Sequence, residues 1–191
     1  MVATPSTMLP LGTLLPAFAL PDFDGRTVST AQYEHARALL VAFICQHCPF
    51  VRHIRTEFAR FAREYQPRGL VLLAVNSNDI GAFPEDGPEG MRQEAQAFDY
   101  VFPYLFDESQ DVAKTFRAAC TPDLFLFDAS RQLVYRGQFD DSRPRAATPI
   151  TGRDIRAAVD AVLESRDVSP VQRPSIGCNI KWKPGNEPDY V

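Results

Sequence analysis

Residues 37 to 76 constrain the fold more than any other part of the chain. RALLVAFI (37–44) is a near-continuous apolar run rich in strand formers, the pattern of a strand buried on both faces. PFVRHIRTEFARFAREYQ (49–66) then places Phe50, Ile54, Phe58, Phe61 and Tyr65 at three- and four-residue spacing, one apolar stripe of an amphipathic helix. Pro49 fits its first turn, where a missing N–H costs little. After the break at PRG, LVLLAVN (70–76) reads as a second buried strand. Strand, helix, strand in this order form a parallel crossover unit, right-handed by the general rule, so at least part of the sheet is parallel.

Downstream, NSNDIGAFPEDGPEG (76–90) reads as a long polar surface loop ahead of a short helix, MRQEAQAFD. Loops of this length in compact domains are often functional. FPYLF (102–106) suggests a short strand and ESQDVAKTF (108–116) a helix. AACTPDLFLFDASRQLVYRGQF gives two strands joined at Asp-Ala-Ser-Arg, with Leu124, Leu126, Leu133 and Tyr135 alternating along them. GRDIRAAVDAVLESR (152–166) is the closing helix, and 166–191 is a Pro-rich, polar tail that holds Cys178 and the only tryptophan, Trp182.

At 191 residues and 45% hydrophobic, the chain has enough apolar matter for one substantial core, so a single domain over 1–191 is expected, with the tail packed on it. Twenty basic and 24 acidic residues give a net charge of −4, which offers no basic field to nucleic acid or to an acidic membrane. No apolar run approaches the roughly 20 residues of a membrane helix. The opening MVATPSTMLPLGTLLPAFAL has no basic residue ahead of its Pro-broken apolar stretch, so a cytoplasmic protein is expected. Four cysteines are too few for a disulfide scaffold; in such spacing they are more often catalytic or metal-binding.

Two of the four, Cys45 and Cys48, stand in ICQHCPF where the first strand gives way to the helix. Such a pair serves as half of a zinc site, as cluster ligands, or as a redox dithiol. Zinc commonly takes four ligands, often from a second close-spaced pair. Here Cys120 and Cys178 are lone cysteines, with His47 and His53 beside the pair and no second close-spaced cysteine pair, so no metal and no cofactor is expected, and a metal or Fe-S carrier is kept as an alternative. A helix N-terminus lowers the pKa of a cysteine held against it. That makes Cys45, just before the helix, the exposed nucleophile and Cys48, about one turn inside, the resolving thiol. His47 between them would stabilise the Cys45 thiolate and make the pair a stronger oxidant. His53 reads as solvated, and Asp140, Asp141, Ser142 and Arg143 as a capping cluster on the same rim as the dithiol.

The order of elements, the Cys-x-x-Cys between a buried strand and a helix, and Thr121-Pro122 directly before a hairpin strand resemble the thioredoxin-like superfamily. LPAFALPDFDGRTVSTAQYE, Cys48-Pro49, CTPDLFLFD and SIGCNIKWKPGNEP are more closely similar to its peroxiredoxin-like, AhpC/TSA branch. The resemblance implies an α/β, thioredoxin-like fold: a central mixed β-sheet flanked by helices, with an N-terminal hairpin extension and a C-terminal tail. It implies a thiol-disulfide oxidoreductase acting on protein or small-molecule disulfides or thiols. It also implies that Pro122 is cis and packs on the dithiol while Thr121 binds partner peptides. Cys120 and Cys178 are possible accessory redox thiols, paired with each other or passing electrons from the dithiol, and Trp182 a possible cover for the site. A peroxidase with Cys48 as the attacking thiol is the alternative. Peroxiredoxins carry Pro-x-x-x-Thr-x-x-Cys, however, and this chain has Val41 and Cys45 at the Pro and Thr places. The buried acid that thioredoxins place upstream of the first cysteine is missing from the strand at Leu39, Leu40 and Val41. Proton transfer would fall to His47, a loop carboxylate or water.

Overall fold

The computed structural model describes residues 3–190; residues 1, 2 and 191, the outer ends of the expected 1–191 domain, lie outside the described residues. In chain order the elements are β1 (Ala3–Pro5), β2 (Ala19–Pro21), β3 (Thr27–Ser29), β4 (Ala38–Phe43), α1 (Pro49–Tyr65), β5 (Leu70–Asn76) and α2 (Pro88–Ala97). They continue with β6 (Tyr104–Phe106), α3 (Asp111–Thr115), β7 (Cys120–Thr121), β8 (Asp123–Phe127), β9 (Leu133–Gly137), α4 (Arg153–Leu163) and β10 (Ile176–Asn179).

The apolar run at 37–44 becomes β4, buried at every position, because it lies at the centre of a five-stranded sheet ordered β6-β5-β4-β8-β9. β5 and β6 run parallel to it; β8 pairs antiparallel with β4, and β9 antiparallel with β8. Alternation then divides the core. Leu40, Ala42, Leu124 and Leu126 pack under Val51, Ile54, Phe58, Phe61 and Tyr65 of α1 and Ile155 and Val159 of α4. Leu39, Val41, Phe43 and Phe125 face the other way, toward Leu9, Leu20, Ala113, Phe116 and Ile180. There Phe43, Phe116 and Phe125 meet edge to face at 5.4–5.9 Å, a favoured aromatic geometry. β2 and β3 pair as an antiparallel hairpin ahead of the sheet. Among the described residues no helix is long and apolar enough to cross a membrane.

Four expectations are corrected. The 76–90 loop is a surface loop only over 79–85: Asn76, Ser77, Asn78 and Asp86 at its ends are buried, because their side chains find hydrogen-bond partners within the segment and in Asp107. α2 starts earlier than expected, with Pro88 in its first turn. Leu133 does not share a face with Tyr135. A register shift between Leu126 and Phe127 pairs Tyr135 with Leu126 but Leu133 with Phe127, so the two side chains enter different halves of the core. Phe50 is only half-buried.

The tail runs back over the molecule. β10 lies antiparallel between β1 and β7 in a second, three-stranded sheet. This carries Cys178 to the segment that precedes Pro122.

Candidate active site

Cys45 follows β4 by two residues, and the intervening Ile44 N–H still donates to Val75 O at 3.0 Å. Cys48 is the N-cap of α1 rather than a residue inside it: its backbone is extended, Pro49 opens the helix, and Arg52 N–H donates to Cys48 O at 2.9 Å. The expectation of an exposed Cys45 is corrected too. Both residues are 0% exposed, since β7, β10 and the 83–90 segment close over the strand end that an open sheet would leave bare.

Thr121 joins the two sulfurs. Its hydroxyl lies 3.3 Å from Cys45 Sγ, its carbonyl accepts from Cys48 Sγ at 3.1 Å, and the Thr121–Pro122 bond is cis. Register explains the third sulfur. Cys178 pairs with Thr121 across β10 and β7, so the two side chains stand on one face, and Cys178 lies buried in one cluster with Cys45 and Cys48. Cys120 pairs with Asn179 and lies on the opposite face, its thiol donating to Pro122 O at 3.5 Å. The expected pairing of Cys120 with Cys178 is thereby corrected. Trp182 covers no part of the dithiol and packs instead against the core half around Phe43.

His47 is held by a residue that sequence reading passed over. Asp86, fully buried, accepts the His47 backbone N–H at 3.1 Å on Oδ1 and the His47 ring Nδ1 and Asn78 Nδ2 on Oδ2, the last at 2.8 Å. The ring stacks on Phe83 with centroids 4.7 Å apart, and its Nδ1 lies 3.9 Å from Cys45 Sγ. Its Nε2 is buried with no partner. A second missed carboxylate is Glu94, on the face of α2 that Gly90 presents to the site: a Cβ at Gly90 would collide with the Gln46 side chain, and Glu94 follows one turn later. Its side chain is 1% exposed, faces Arg55 at 3.8 Å, and makes no hydrogen bond. Neither acid carries a periodic signature; only the fold brings them here.

These contacts set the thiols apart. Hydrogen bonds from Cys178 and then Cys45 hold the Cys48 pKa well below the ordinary thiol value against the opposing effect of burial. Burial, the Cys48 contact and the Asp86 carboxylate push Cys45 up. Cys178 is raised, first by its bond to Cys48 and then by burial. Of the three thiols Cys48 is therefore the one that ionises most readily, and it gives up its hydrogen bond to Thr121 O when it does. Burial raises Glu94 to about 7. Cys45 Sγ, His47 Nδ1 and Asp86 Oδ2 all lie within 4.8 Å of one another, a thiolate, imidazole and carboxylate set that could hold a zinc-like ion.

The rim residues divide. Asp140 accepts Thr151 N–H and Gly152 N–H at 2.6 Å each at the start of α4, and Ser142 N–H at 2.9 Å, so that cluster is a cap. His53 is not simply solvated: half-buried, its Nε2 sits 3.1 Å from Ser142 Oγ, and burial lowers its pKa.

The model of the AhpC/TSA family matches residues 11–136. Two curated relatives from Mycobacterium tuberculosis, strains CDC 1551 / Oshkosh and ATCC 25618 / H37Rv, carry the provisional name of peroxiredoxin. Each is 30% identical over 109 residues, 57% of this chain and 64% of theirs, so the match spans less than two thirds of their length. The crystal structure of a hypothetical protein from Sinorhizobium meliloti 1021 is similar at a TM-score of 0.94 and 53% identity, over 95% of this chain and 100% of that one. An uncharacterized conserved protein from Geobacillus kaustophilus gives 0.94 and 51%, over 97% and 98%. The thioredoxin domain of a thiol-disulfide oxidoreductase from Bacteroides vulgatus, at 0.58 and 16% over 78% of this chain and 96% of that one, shows the fold alone.

Proposed function

The chain belongs to the AhpC/TSA family, a peroxiredoxin-like branch of the thioredoxin-like thiol oxidoreductases, and from that premise we propose that it is a thiol-disulfide oxidoreductase whose dithiol is Cys45 and Cys48. The observation that carries the reading is the convergence of both sulfurs on Thr121, one on its hydroxyl and one on its carbonyl. In the forward direction Cys45 Sγ, deprotonated, attacks one sulfur of a partner disulfide; a mixed disulfide forms and the other partner sulfur leaves as a thiol. Cys48, the thiol that ionises most readily, then attacks Cys45 Sγ, closes the intramolecular disulfide and releases the second partner thiol. Two electrons pass from the protein to the partner. The Asp86 carboxylate orients the His47 ring through its Nδ1, and Glu94, with its pKa near neutrality, supplies a proton acceptor in place of the acid missing from β4.

On this reading Thr121 and Pro122 receive the partner, which is a protein or small molecule carrying a disulfide or thiol, and no cofactor takes part. Residues 1–191 act as one domain, and a reducing compartment such as the cytoplasm returns the dithiol. A second reading is favoured by the ready ionisation of Cys48: a thiol peroxidase in which Cys48 attacks peroxide. Turnover of an insulin-type disulfide and of hydrogen peroxide, measured side by side, separates the two. Disulfide turnover is expected to vanish in Cys45→Ser, while Cys48→Ser accumulates a mixed disulfide. Peroxide turnover that survives Cys45→Ser and dies with Cys48→Ser would replace the first reading with the second.

A further inference from the structure

Cys178 occupies a place that neither step above requires. It pairs across the strands with Thr121, the residue that touches both dithiol sulfurs, and lies buried in the same cluster as Cys45 and Cys48. The placement is enforced by the backbone. A Cβ on the preceding Gly177 would collide with Thr121 O, so β10 lies as close to β7 as a strand without a side chain allows. α1, whose N-cap is Cys48, packs directly against β10. Cys48 therefore has two thiol neighbours, Cys45 from its own loop and Cys178 from the tail. Cys120, on the other face of the same small sheet, is left out.

We propose that Cys178 is a third redox thiol, which takes over the disulfide from Cys45 by exchange at Cys48. The step balances without any further reagent. Cys178 loses its proton and attacks Cys48 Sγ of the Cys45–Cys48 disulfide; the Cys48–Cys178 bond forms as the Cys45–Cys48 bond breaks, and Cys45 leaves as a thiolate that takes up the proton. No electrons enter or leave. The molecule stays oxidised by two electrons, but the oxidised bond has moved from the strand end to the tail, and Cys45 is a thiol again. Cys45 is left as a thiol beside Thr121 and His47.

The inference rests on the proposed dithiol for the first disulfide, but its test does not depend on turnover. Reduced Cys45→Ser protein retains three cysteines, Cys48, Cys120 and Cys178. It is treated with oxidised glutathione, alkylated, and mapped by mass spectrometry of its peptides. The expected result is a Cys48–Cys178 linked peptide with Cys120 alkylated, and a glutathione adduct on Cys48 that decays at least about tenfold faster than in Cys45→Ser/Cys178→Ala. A stable adduct on Cys48 with Cys178 alkylated overturns the inference. Wild-type protein equilibrated in a glutathione buffer provides the check that needs no variant: both Cys45–Cys48 and Cys48–Cys178 links are expected, and the first without a trace of the second overturns the inference as well. Disulfide turnover without the Cys48–Cys178 link would sink this inference alone, whereas the link without turnover would leave Cys178 in contact and remove the proposed function.

Discussion

Asp86 shows how one buried carboxylate shapes the site from a distance in sequence. It fixes the His47 ring and backbone, and its charge raises the Cys45 pKa. Asp86→Asn keeps the shape and removes the charge, so Cys45 is expected to ionise at lower pH, followed by thiolate ultraviolet absorbance in Cys48→Ser protein; an unchanged or higher midpoint would show that Asp86 acts on Cys45 only through His47. Cys45, Cys48, Thr121 and Pro122 were legible in the sequence, because a strand end, a helix start and a Thr-Pro each have a local signature. Asp86 was not, since its contact with His47 spans 39 residues and the Gly- and Pro-rich segment around it has no period. Thr121 was legible for its backbone, but its hydroxyl contact to Cys45 was not.

Among the elements, β10 does most to complete the site. The sequence around it, SIGCNIKW, alternates too weakly to predict a strand, and its partners β1 and β7 are three and two residues long. None of these short pieces would hold alone; together they satisfy one another's backbone groups. Gly177→Ala tests the fit. Its methyl would meet the Thr121 carbonyl, so a loss of about 1–3 kcal/mol is expected, seen as a fall of several degrees in Tm. Disulfide turnover should fall with it as β10 lifts off Thr121; full activity at unchanged Tm would mean that β10 does not press on the site. The central sheet, by contrast, was legible throughout, because β4 and β5 are long, continuous apolar runs. The exception at Leu133 came from a register shift, which leaves no mark in an apolar/polar pattern.

For the molecule as a whole, two buried acids make stability depend on pH in an unusual direction. Burial raises Asp123 from 3.8 and Glu94 from 4.5, each to about 7. A carboxyl whose folded pKa lies above its unfolded one binds its proton more tightly when folded, so stability is full below the unfolded value and declines as pH rises toward the folded one. In Cys48→Ser protein, which lacks the opposing titration of a thiol held below its ordinary pKa, Tm is therefore expected to fall between about pH 4.5 and 7, with up to a few kcal/mol lost per acid. Asp123→Asn and Glu94→Gln should each flatten that slope; a Tm that climbs over the same interval would refute it. What the sequence determined by itself was the sheet, the helix stripe and the position of the dithiol, because periodicity and the strand-to-helix junction are local properties of the chain. What only the tertiary structure decided was the surroundings of the sulfurs: their burial, the Asp86 and Glu94 carboxylates beside them, and the meeting of Cys178 with Cys48. Those depend on which surfaces pack together, and the register of a four-residue strand decides which of two nearby cysteines faces the site.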